Sequence, residues 1–322
     1  MTLRNFIDHV MEQLAPLYPQ QECKAIAVRM LKELLAGYKG YEHMVEPATE
    51  LDTFQIAPEG TAEGSQPSQH PGADKYLLSC VERLATGEPL QYVMGFEWFC
   101  GHKFNVAPGV LIPRPETEEL VNKAIEFAQA ALQTKSASPL RVLDICTGSG
   151  CIAWSLAAAL PQSEVYACDI SQQALQIARA QQIQCADNTP AKVKFQECDI
   201  LCQQAQQKIA QGCGEGEFNL IISNPPYVCE CEKSQMRENV LNHEPHLALF
   251  VPDNDPLKFY RAIAQLSGRI LSPGGALMFE INERFGAETA QMMQQMGYTN
   301  CQVLQDLFGK DRMVVGYKES VS

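Results

Sequence analysis

The 322-residue sequence predicts an α/β fold, a doubly wound and mostly parallel sheet preceded by a small helical domain. Two observations support this prediction. Residues 111–322 alternate short apolar runs with helical patterns, which is typical of parallel strands joined by crossover helices. Residues 1–87 instead carry amphipathic helical stripes. Because 46% of the residues are hydrophobic and 20% are charged, the chain has enough apolar material to form buried cores.

The helical stripes define the N-terminal domain. They cover residues 3–14, 25–35 and 76–85, with apolar side chains recurring every three or four positions. Residues 47–72 separate the second stripe from the third and are rich in Pro, Gly, Glu, Gln and Ser. This composition predicts a flexible loop or linker. We therefore predict one helical domain over residues 1–87 with an internal loop.

Strand signals begin after this domain. Aromatic and β-branched content rises between Gln91 and Val106, with Gly95 and Gly101 as punctuation, which predicts a β-hairpin linker over residues 88–110. Beyond it, strands are predicted at residues 140–145, 165–168, 193–195, 218–222 and 276–281, helices at 152–160 and 174–180, and closing strands near 303 and at 313–317. The sheet domain is thus predicted to occupy residues 111–322.

Composition argues against several functional classes. The 25 Lys and Arg against 38 Asp and Glu give a formal net charge of −13, so no nucleic-acid partner is expected, since Lys and Arg supply most phosphate contacts. No apolar run approaches the ~20 residues that span a bilayer, and the N-terminus does not resemble a signal peptide. The 13 cysteines are expected to be reduced thiols of a cytoplasmic protein. Their spacings match no zinc site, so no metal is expected.

Chemistry-bearing residues follow three successive predicted strands. The first strand leads into Cys146-Thr147-Gly148-Ser149-Gly150, where the glycines let a ligand approach the backbone, unless this is only a tight turn. Asp169 follows the second strand, about 20 residues after the glycine turn, where an acid can accept from ribose hydroxyls or instead cap the next helix. Asp199 follows the third strand beside apolar Ile200, where it could accept from the amino group of a base or remain a solvated loop acid. Together these residues favour a nucleoside-containing ligand.

The sharpest motif is Asn224-Pro225-Pro226-Tyr227, directly after the strand predicted at 218–222. The two prolines fix φ and remove backbone donors, which leaves the Pro225 carbonyl free to accept. The Asn224 side chain adds a second acceptor beside it. Two acceptors fixed close together suit a planar NH₂ group, and Tyr227 offers a flat face for stacking. The alternative is a rigid turn with an exposed tyrosine.

These residues resemble class I S-adenosylmethionine-dependent methyltransferases with a Rossmann-like sheet. More narrowly, the chain resembles the protein-(glutamine-N5) methyltransferases that modify peptide chain release factors. The motifs that carry the resemblance lie at residues 88–95, 111–118, 224–227, 244–245, 271–275 and 306–312. The Asn-Pro-Pro-Tyr motif alone is shared with enzymes that methylate adenine. The Arg114-Pro115 block before the glycine turn is the narrower marker.

The resemblance implies S-adenosylmethionine as cofactor, a release-factor glutamine as methyl acceptor and recognition of that protein by residues 1–87. The implied cofactor-binding residues are Cys146, Thr147, Gly148, Ser149, Gly150, Asp169, Asp199, Ile200 and Asn224. The implied substrate-binding residues are Leu111, Arg114, Glu116, Asn224, Pro225, Pro226 and Tyr227, with Ile112 in the same pocket wall. Catalysis is expected from Asn224, Pro225 and Tyr227. Cys146 stands where a glycine is frequent, which is expected to fit because Gly148 and Gly150 make the closest approach.

Other interpretations stay open from the sequence. The same motifs suit glutamine methylation of a ribosomal protein, or N-methylation of a nucleobase amino group in DNA or RNA, although the latter would call for a basic groove. The chain could also bind the cofactor without catalysis. His243 and His246 could be proposed as bases, but we expect them to be loop or capping histidines. No general base is required, because water can take the proton that the product loses.

Overall fold

The computed structural model describes residues 3–35, 73–134, 139–213 and 218–320. The loop predicted at 47–72 lies outside these residues. The chain divides into two compact units. One unit comprises Met1–Gly95 and Glu238–His243, and the other comprises Phe96–Arg237 and Glu244–Ser322.

The described residues fold into helices and strands, numbered in chain order. The helices are α1 (Leu3–Leu14), α2 (Gln20–Leu35), α3 (Ala73–Ala85), α4 (Leu90–Met94), α5 (Pro115–Thr134), α6 (Cys151–Ala159), α7 (Gln172–Arg179), α8 (Gln203–Cys213), α9 (Glu238–His243), α10 (His246–Leu249), α11 (Lys258–Ile270) and α12 (Gly286–Gln295). The strands are β1 (Phe96–Phe99), β2 (His102–Asn105), β3 (Arg141–Ile145), β4 (Glu164–Asp169), β5 (Val193–Glu197), β6 (Phe218–Ser223), β7 (Val228–Cys229), β8 (Phe250–Val251), β9 (Leu271–Glu280), β10 (Tyr298–Gln305) and β11 (Asp311–Lys318). Short 3₁₀ helices cover Glu230–Gln235 and Glu283–Phe285.

The first unit is helical, as predicted. Helices α1, α2 and α3 coincide with the predicted stripes, although α2 and α3 begin earlier. Their apolar faces form one buried cluster that includes Phe6, Val10, Met30, Leu77 and Leu84. Removal of these side chains from water stabilises the unit, at roughly 25 cal/mol per Å² of apolar surface.

The predicted hairpin is shorter than expected. Leu90–Met94 is a helix, and only β1 and β2 form the antiparallel hairpin, with Phe96 opposite Asn105. Pro89 precedes the helix, and Gly95 ends it in the left-handed conformation at φ +80°, where its N–H donates to the Gln91 carbonyl. Aromatic and β-branched residues are thus compatible with a helical turn when a proline and a glycine bound it.

The second unit contains the predicted sheet. Its strand order is β10-β11-β9-β6-β3-β4-β5. Strands β3, β4, β5, β6 and β9 are parallel, and β11 pairs antiparallel with both β9 and the edge strand β10. The strand order reverses at β3, which pairs with β4 on one side and β6 on the other. Ligands of open α/β sheets bind beyond the carboxyl ends of strands at such a reversal.

Helices cover both faces of the sheet, which confirms the doubly wound arrangement. Successive residues of a strand point to opposite faces. Accordingly Val142 of β3 joins the cluster under α5 and α6, whereas Leu143 joins the cluster under α11 and α12. Residues of β6 alternate in the same way, with Leu220 on the first face and Ile221 on the second. The strands that carry the site are therefore buried on both faces.

Candidate functional site

A cavity of about 400 Å³ lies at the carboxyl ends of β3, β4, β5 and β6. This volume is typical of sites for small molecules. One predicted residue or motif from each strand end lines it: the glycine turn, Asp169, Asp199 and Asn224. The parallel sheet therefore brings together residues that are far apart in the sequence.

The glycine turn is shaped by three positive φ angles, at Cys146 (+63°), Gly148 (+55°) and Gly150 (+82°). A Cβ at Gly148 would meet nothing within 4 Å, so the cavity reaches the backbone there. A Cβ at Gly150 would lie 3.0 Å from Trp154 and 3.1 Å from Ala178, and Gly150 does not line the cavity. The close approach expected from both glycines is therefore confined to Gly148. Cys146 adopts the left-handed conformation despite its side chain, which is why glycine would suit this position.

Asp144 lies under the turn and is fully buried. The Thr147 hydroxyl donates to its Oδ2 at 2.5 Å, whereas Oδ1 has no hydrogen-bond partner. Burial raises the pKa of Asp144 to about 7. Asp144 has no predicted role, because a carboxylate inside a buried strand carries no motif signal.

Asp169 both lines the cavity and holds the turn. Its Oδ2 accepts from the Gly148 N–H and its Oδ1 from the Ser171 N–H, each at 2.9 Å. Burial raises its pKa, and these backbone hydrogen bonds oppose the rise. Helix α7 is capped by Ser171, whose Oγ accepts from the Ala174 N–H. Asp169 is thus not the helix cap, and each carboxylate oxygen keeps a lone pair for a further donor.

The third strand end offers a carboxylate beside apolar side chains. Asp199 accepts from the Leu201 N–H through Oδ1, and Asp199, Ile200 and Leu201 all line the cavity. Ile170 lines it as well, and Ile170 and Leu201 are 43% and 41% exposed. These two side chains were not predicted, because single apolar residues at loop positions carry no pattern.

The fourth strand end carries the Asn-Pro-Pro-Tyr motif. Asn224 and Pro226 line the cavity, whereas Pro225 is buried and Tyr227 is half-buried outside the lining. The Asn224 Nδ2 donates to Thr117 Oγ1 at 3.2 Å, and the Tyr227 hydroxyl donates to Glu280 Oε1 at 3.0 Å. Tyr227 is therefore neither an exposed residue of a rigid turn nor part of the cavity wall.

One wall of the cavity is built from Leu111 and Arg114. Glu244 does not line the cavity but holds this wall in place through two hydrogen bonds. Its Oε1 accepts from Arg114 Nη2 at 2.6 Å, and its Oε2 accepts from the Ile112 N–H at 3.1 Å. Ile112 itself is buried and does not line the cavity, and neither does Glu116. Ile112 is thus connected to this wall by its backbone N–H, which donates to Glu244, and not by its side chain.

Further lining residues had no individually predicted role. They are Thr117, Gln173, Pro245, Leu247, Ala248, Lys258 and Phe259, among others. The motif at residues 244–245 was the only signal for the segment that contains Pro245. His246, once a candidate base, packs edge-to-face on Phe250 at 5.1 Å and does not line the cavity.

Two features of the described residues bear on other functions. None of the helices placed by the structure is long and apolar enough to cross a membrane. Within the same residues, no group of three or more His, Cys, Asp and Glu side chains is arranged to hold a metal ion.

Similarity to known proteins extends over nearly the whole chain. A family model described as the methyltransferase small domain matches residues 121–247. The release factor glutamine methyltransferase of Bacteroides thetaiotaomicron is 39% identical over 95% of this chain and 96% of that protein. The protein of the same name from Flavobacterium psychrophilum is 36% identical over 98% of each chain, and that from Koribacter versatilis is 39% identical over 74% of this chain and 78% of its own. The chain is therefore a methyltransferase that belongs to the release factor glutamine methyltransferase family.

Proposed function

We propose that the protein transfers a methyl group from S-adenosylmethionine to the N5 amide nitrogen of a glutamine in a peptide chain release factor. The observation that carries this proposal is a side-chain carboxamide, Asn224, in the wall of the cavity that also contains the glycine turn. The names of the relatives support the substrate class. A release factor as substrate would place the reaction in the cytoplasm.

The residues of the cavity fit this cofactor. The open space at Gly148 lets the methionine part of the cofactor lie against the backbone. The carboxylates of Asp169 and Asp199 accept from ribose hydroxyls and from the adenine amino group, respectively. Ile170 and Leu201 offer apolar surface to the flat base. When bound, S-adenosylmethionine supplies an activated methyl group, and the protein supplies orientation and electrostatics.

The protein's main task is to orient a poor nucleophile. An amide nitrogen is weakly nucleophilic because its lone pair is delocalised into the carbonyl. Asn224 uses Nδ2 for Thr117, which leaves Oδ1 as an acceptor for one N–H of the substrate amide. The Pro225 carbonyl would accept the second N–H. Holding an amide in a reactive orientation contributes about 7–11 kcal/mol in favourable cases.

The substrate is tested by labelling. The protein is incubated with methyl-labelled S-adenosylmethionine and with a release factor, a ribosomal protein or DNA, and the labelled product is mapped by mass spectrometry. We expect label in the release factor alone, on the side-chain nitrogen of one glutamine. Label in the ribosomal protein or in DNA, with none in the release factor, would contradict the proposal. The net charge of −13 already disfavours DNA.

The N-terminal helical domain, residues 1–87, is proposed to recognise the protein substrate. Its helices form a core of their own, separate from the sheet that carries the cavity. Deletion of residues 1–85 should spare cofactor binding and abolish methylation of the intact release factor. A folded truncated protein that methylates the intact release factor at the normal rate would disprove this role.

A further inference from the structure

A row of hydrogen-bonded side chains lies behind Asn224. The Asn224 Nδ2 donates to Thr117 Oγ1 at 3.2 Å, and the Thr117 hydroxyl donates to Glu280 Oε2 at 2.6 Å. The other carboxylate oxygen, Oε1, accepts from the Tyr227 hydroxyl at 3.0 Å. Thr117 and Glu280 are only 2% and 1% exposed, so water has little access to the hydrogen bond between them.

The direction of each hydrogen bond in this row is fixed by chemistry. An ionised carboxylate only accepts, and a threonine hydroxyl has a single proton. Because the Thr117 hydroxyl donates its proton to Glu280, its oxygen can only accept in the hydrogen bond with Asn224. Burial raises the pKa of Glu280, and the hydrogen bonds from Thr117 and Tyr227 and the charge of Arg312 only partly oppose this rise. The assignment of donors rests on the geometry, in which each carboxylate oxygen of Glu280 accepts from one hydroxyl.

This direction determines which way the Asn224 amide faces. Only its NH₂ group can donate to an oxygen that must accept. The flipped amide would place Oδ1 against a lone pair of Thr117 and leave a buried acceptor without a partner, which costs free energy. The NH₂ group of Asn224 therefore stays on Thr117, and Oδ1 remains available at the cavity wall.

We infer that Thr117 and Glu280 are positioning residues that lock the Asn224 carboxamide with its oxygen presented to the methyl-accepting amide. The inference rests on the proposed function. It adds which residues determine whether Asn224 presents its oxygen or its NH₂ group to the substrate. Without the lock, the Asn224 amide would spend part of its time with NH₂ toward the substrate. Two NH₂ groups facing each other cannot form the hydrogen bond that orients the nucleophile.

The test compares three variants of the full-length protein. Thr117→Val keeps the shape of the side chain and removes the hydroxyl, Thr117→Ser keeps the hydroxyl, and Thr289→Val is the matched control. Thr289 is a buried threonine in α12 whose hydroxyl has no hydrogen-bond partner, and it does not line the cavity. Should Thr117→Val not fold, Thr117→Ala removes the same hydroxyl with a smaller side chain.

We expect Thr117→Val to lower kcat by roughly 10- to 100-fold, as for other losses of alignment, with KM for the cofactor within about twofold of wild type. Thr117→Ser should restore kcat to within about twofold, and Thr289→Val should leave it unchanged. If Thr117 had only a structural role, Thr117→Val would change both kcat and KM, or lower the stability of the protein, rather than change kcat alone. A folded Thr117→Val protein with wild-type kcat would overturn the inference.

A second measurement does not depend on the substrate. Hydrogen exchange of the Asn224 NH₂ group is followed by NMR in protein labelled with ¹⁵N-asparagine, and the resonance is assigned by its loss in Asn224→Ala. Exchange should be slow in wild type, Thr117→Ser and Thr289→Val, and faster by about tenfold in Thr117→Val, because one donated hydrogen bond is lost. Equal exchange in all four proteins would refute the lock. If wild type transfers no methyl group to glutamine, the proposed function fails while this measurement still decides the lock.

Discussion

The two halves of the site are held by different kinds of hydrogen bond. In the cofactor half (Asp144, the glycine turn and Asp169), partners are backbone groups or neighbours in sequence: Thr147 to Asp144 spans three positions and Gly148 to Asp169 spans 21. In the acceptor half (Thr117, Asn224, Tyr227 and Glu280), Asn224 depends on Thr117, 107 positions away, and Thr117 depends on Glu280, 163 positions away.

This difference implies that the two halves contribute to different steps, cofactor binding and methyl transfer. The cofactor half lies within one continuous stretch of sequence, from β3 through the glycine turn and α6 to the end of β4. The acceptor half exists only when α5, the end of β6 and the end of β9 are assembled, because each contributes one side chain of the row. Damage to the first half should therefore change cofactor affinity, and damage to the second should change the rate of methyl transfer.

The largest expected effect is that of Asn224→Ala. In the proposed mechanism it would remove one of two acceptors for the substrate amide and let that amide rotate, so we expect a loss in kcat of roughly 10²-fold or more, comparable to the loss of one positioned electrostatic contact. Cofactor affinity should fall only modestly. Single-turnover methyl transfer at saturating cofactor measures the effect. A folded variant with a near wild-type rate would mean that another group holds the amide.

Asp169→Ala should have the next largest effect, on the other half. Loss of a charge-assisted hydrogen bond costs about 1.5–3 kcal/mol, which corresponds to a rise in cofactor Kd of roughly 10- to 150-fold. Calorimetric titration with S-adenosylmethionine measures it. Asp187→Ala is the control, since Asp187 also accepts local hydrogen bonds, from Thr189, and does not line the cavity. Unchanged affinity in Asp169→Ala would remove this residue from the site.

A smaller effect is expected from Glu244→Gln. Glutamine has a single side-chain oxygen, so it can accept from Ile112 or from Arg114 but not from both, and it loses the charge that pairs with Arg114 in the cavity wall. The loss of one net hydrogen bond, about 1 kcal/mol, should raise KM for the protein substrate about fivefold. Cofactor Kd should not change.

The matched control for that variant is Glu283→Gln. Glu283 pairs with Lys310 at 2.8 Å, and both side chains are about half exposed, so neutralisation there should leave KM unchanged. Equal KM values for Glu244→Gln and wild type would show that the pair with Arg114 does not shape the substrate site.

The last prediction concerns stability and pH in the cofactor half rather than activity. The pKa of Asp144 is about 7 in the fold and 3.8 as a free side chain, so the folded state binds a proton more tightly than the unfolded state. Its contribution to the free energy of unfolding therefore falls as pH rises from about 4 to about 7, by up to about 1.4 kcal/mol per pH unit. Asp144→Asn should remove this slope. Urea unfolding at several pH values checks it, and parallel curves for the two proteins would contradict the assignment.

The cofactor half could be predicted from the sequence more fully than the acceptor half. Parallel strands and the glycine turn follow from local patterns, so β3, β4, β5 and β6 lie where the apolar runs predicted them. The support of Asn224 follows from no local pattern, because Thr117 and Glu280 look like ordinary residues of a helix start and a buried strand.

At two places the structure adds features that the sequence patterns did not predict. The aromatic and β-branched residues at Leu90–Met94 suggested a strand, but Pro89 and Gly95 bound a helical turn. Tyr227 is predicted to offer a stacking face; its ring is half-buried and its hydroxyl donates to Glu280, a contact that the sequence does not predict, and the stacking role stays a prediction. The first outcome follows from the backbone preferences of the flanking proline and glycine, whereas the second contact forms only in the folded chain.

The most direct test of the division between the halves is to measure two constants for two variants side by side. Cofactor Kd and the single-turnover rate at saturating cofactor are determined for Asp169→Ala and for Asn224→Ala. We predict that Asp169→Ala raises Kd while keeping most of the rate, and that Asn224→Ala lowers the rate while largely keeping Kd. If each variant changes both constants to the same extent, the two halves do not act separately and the account is contradicted.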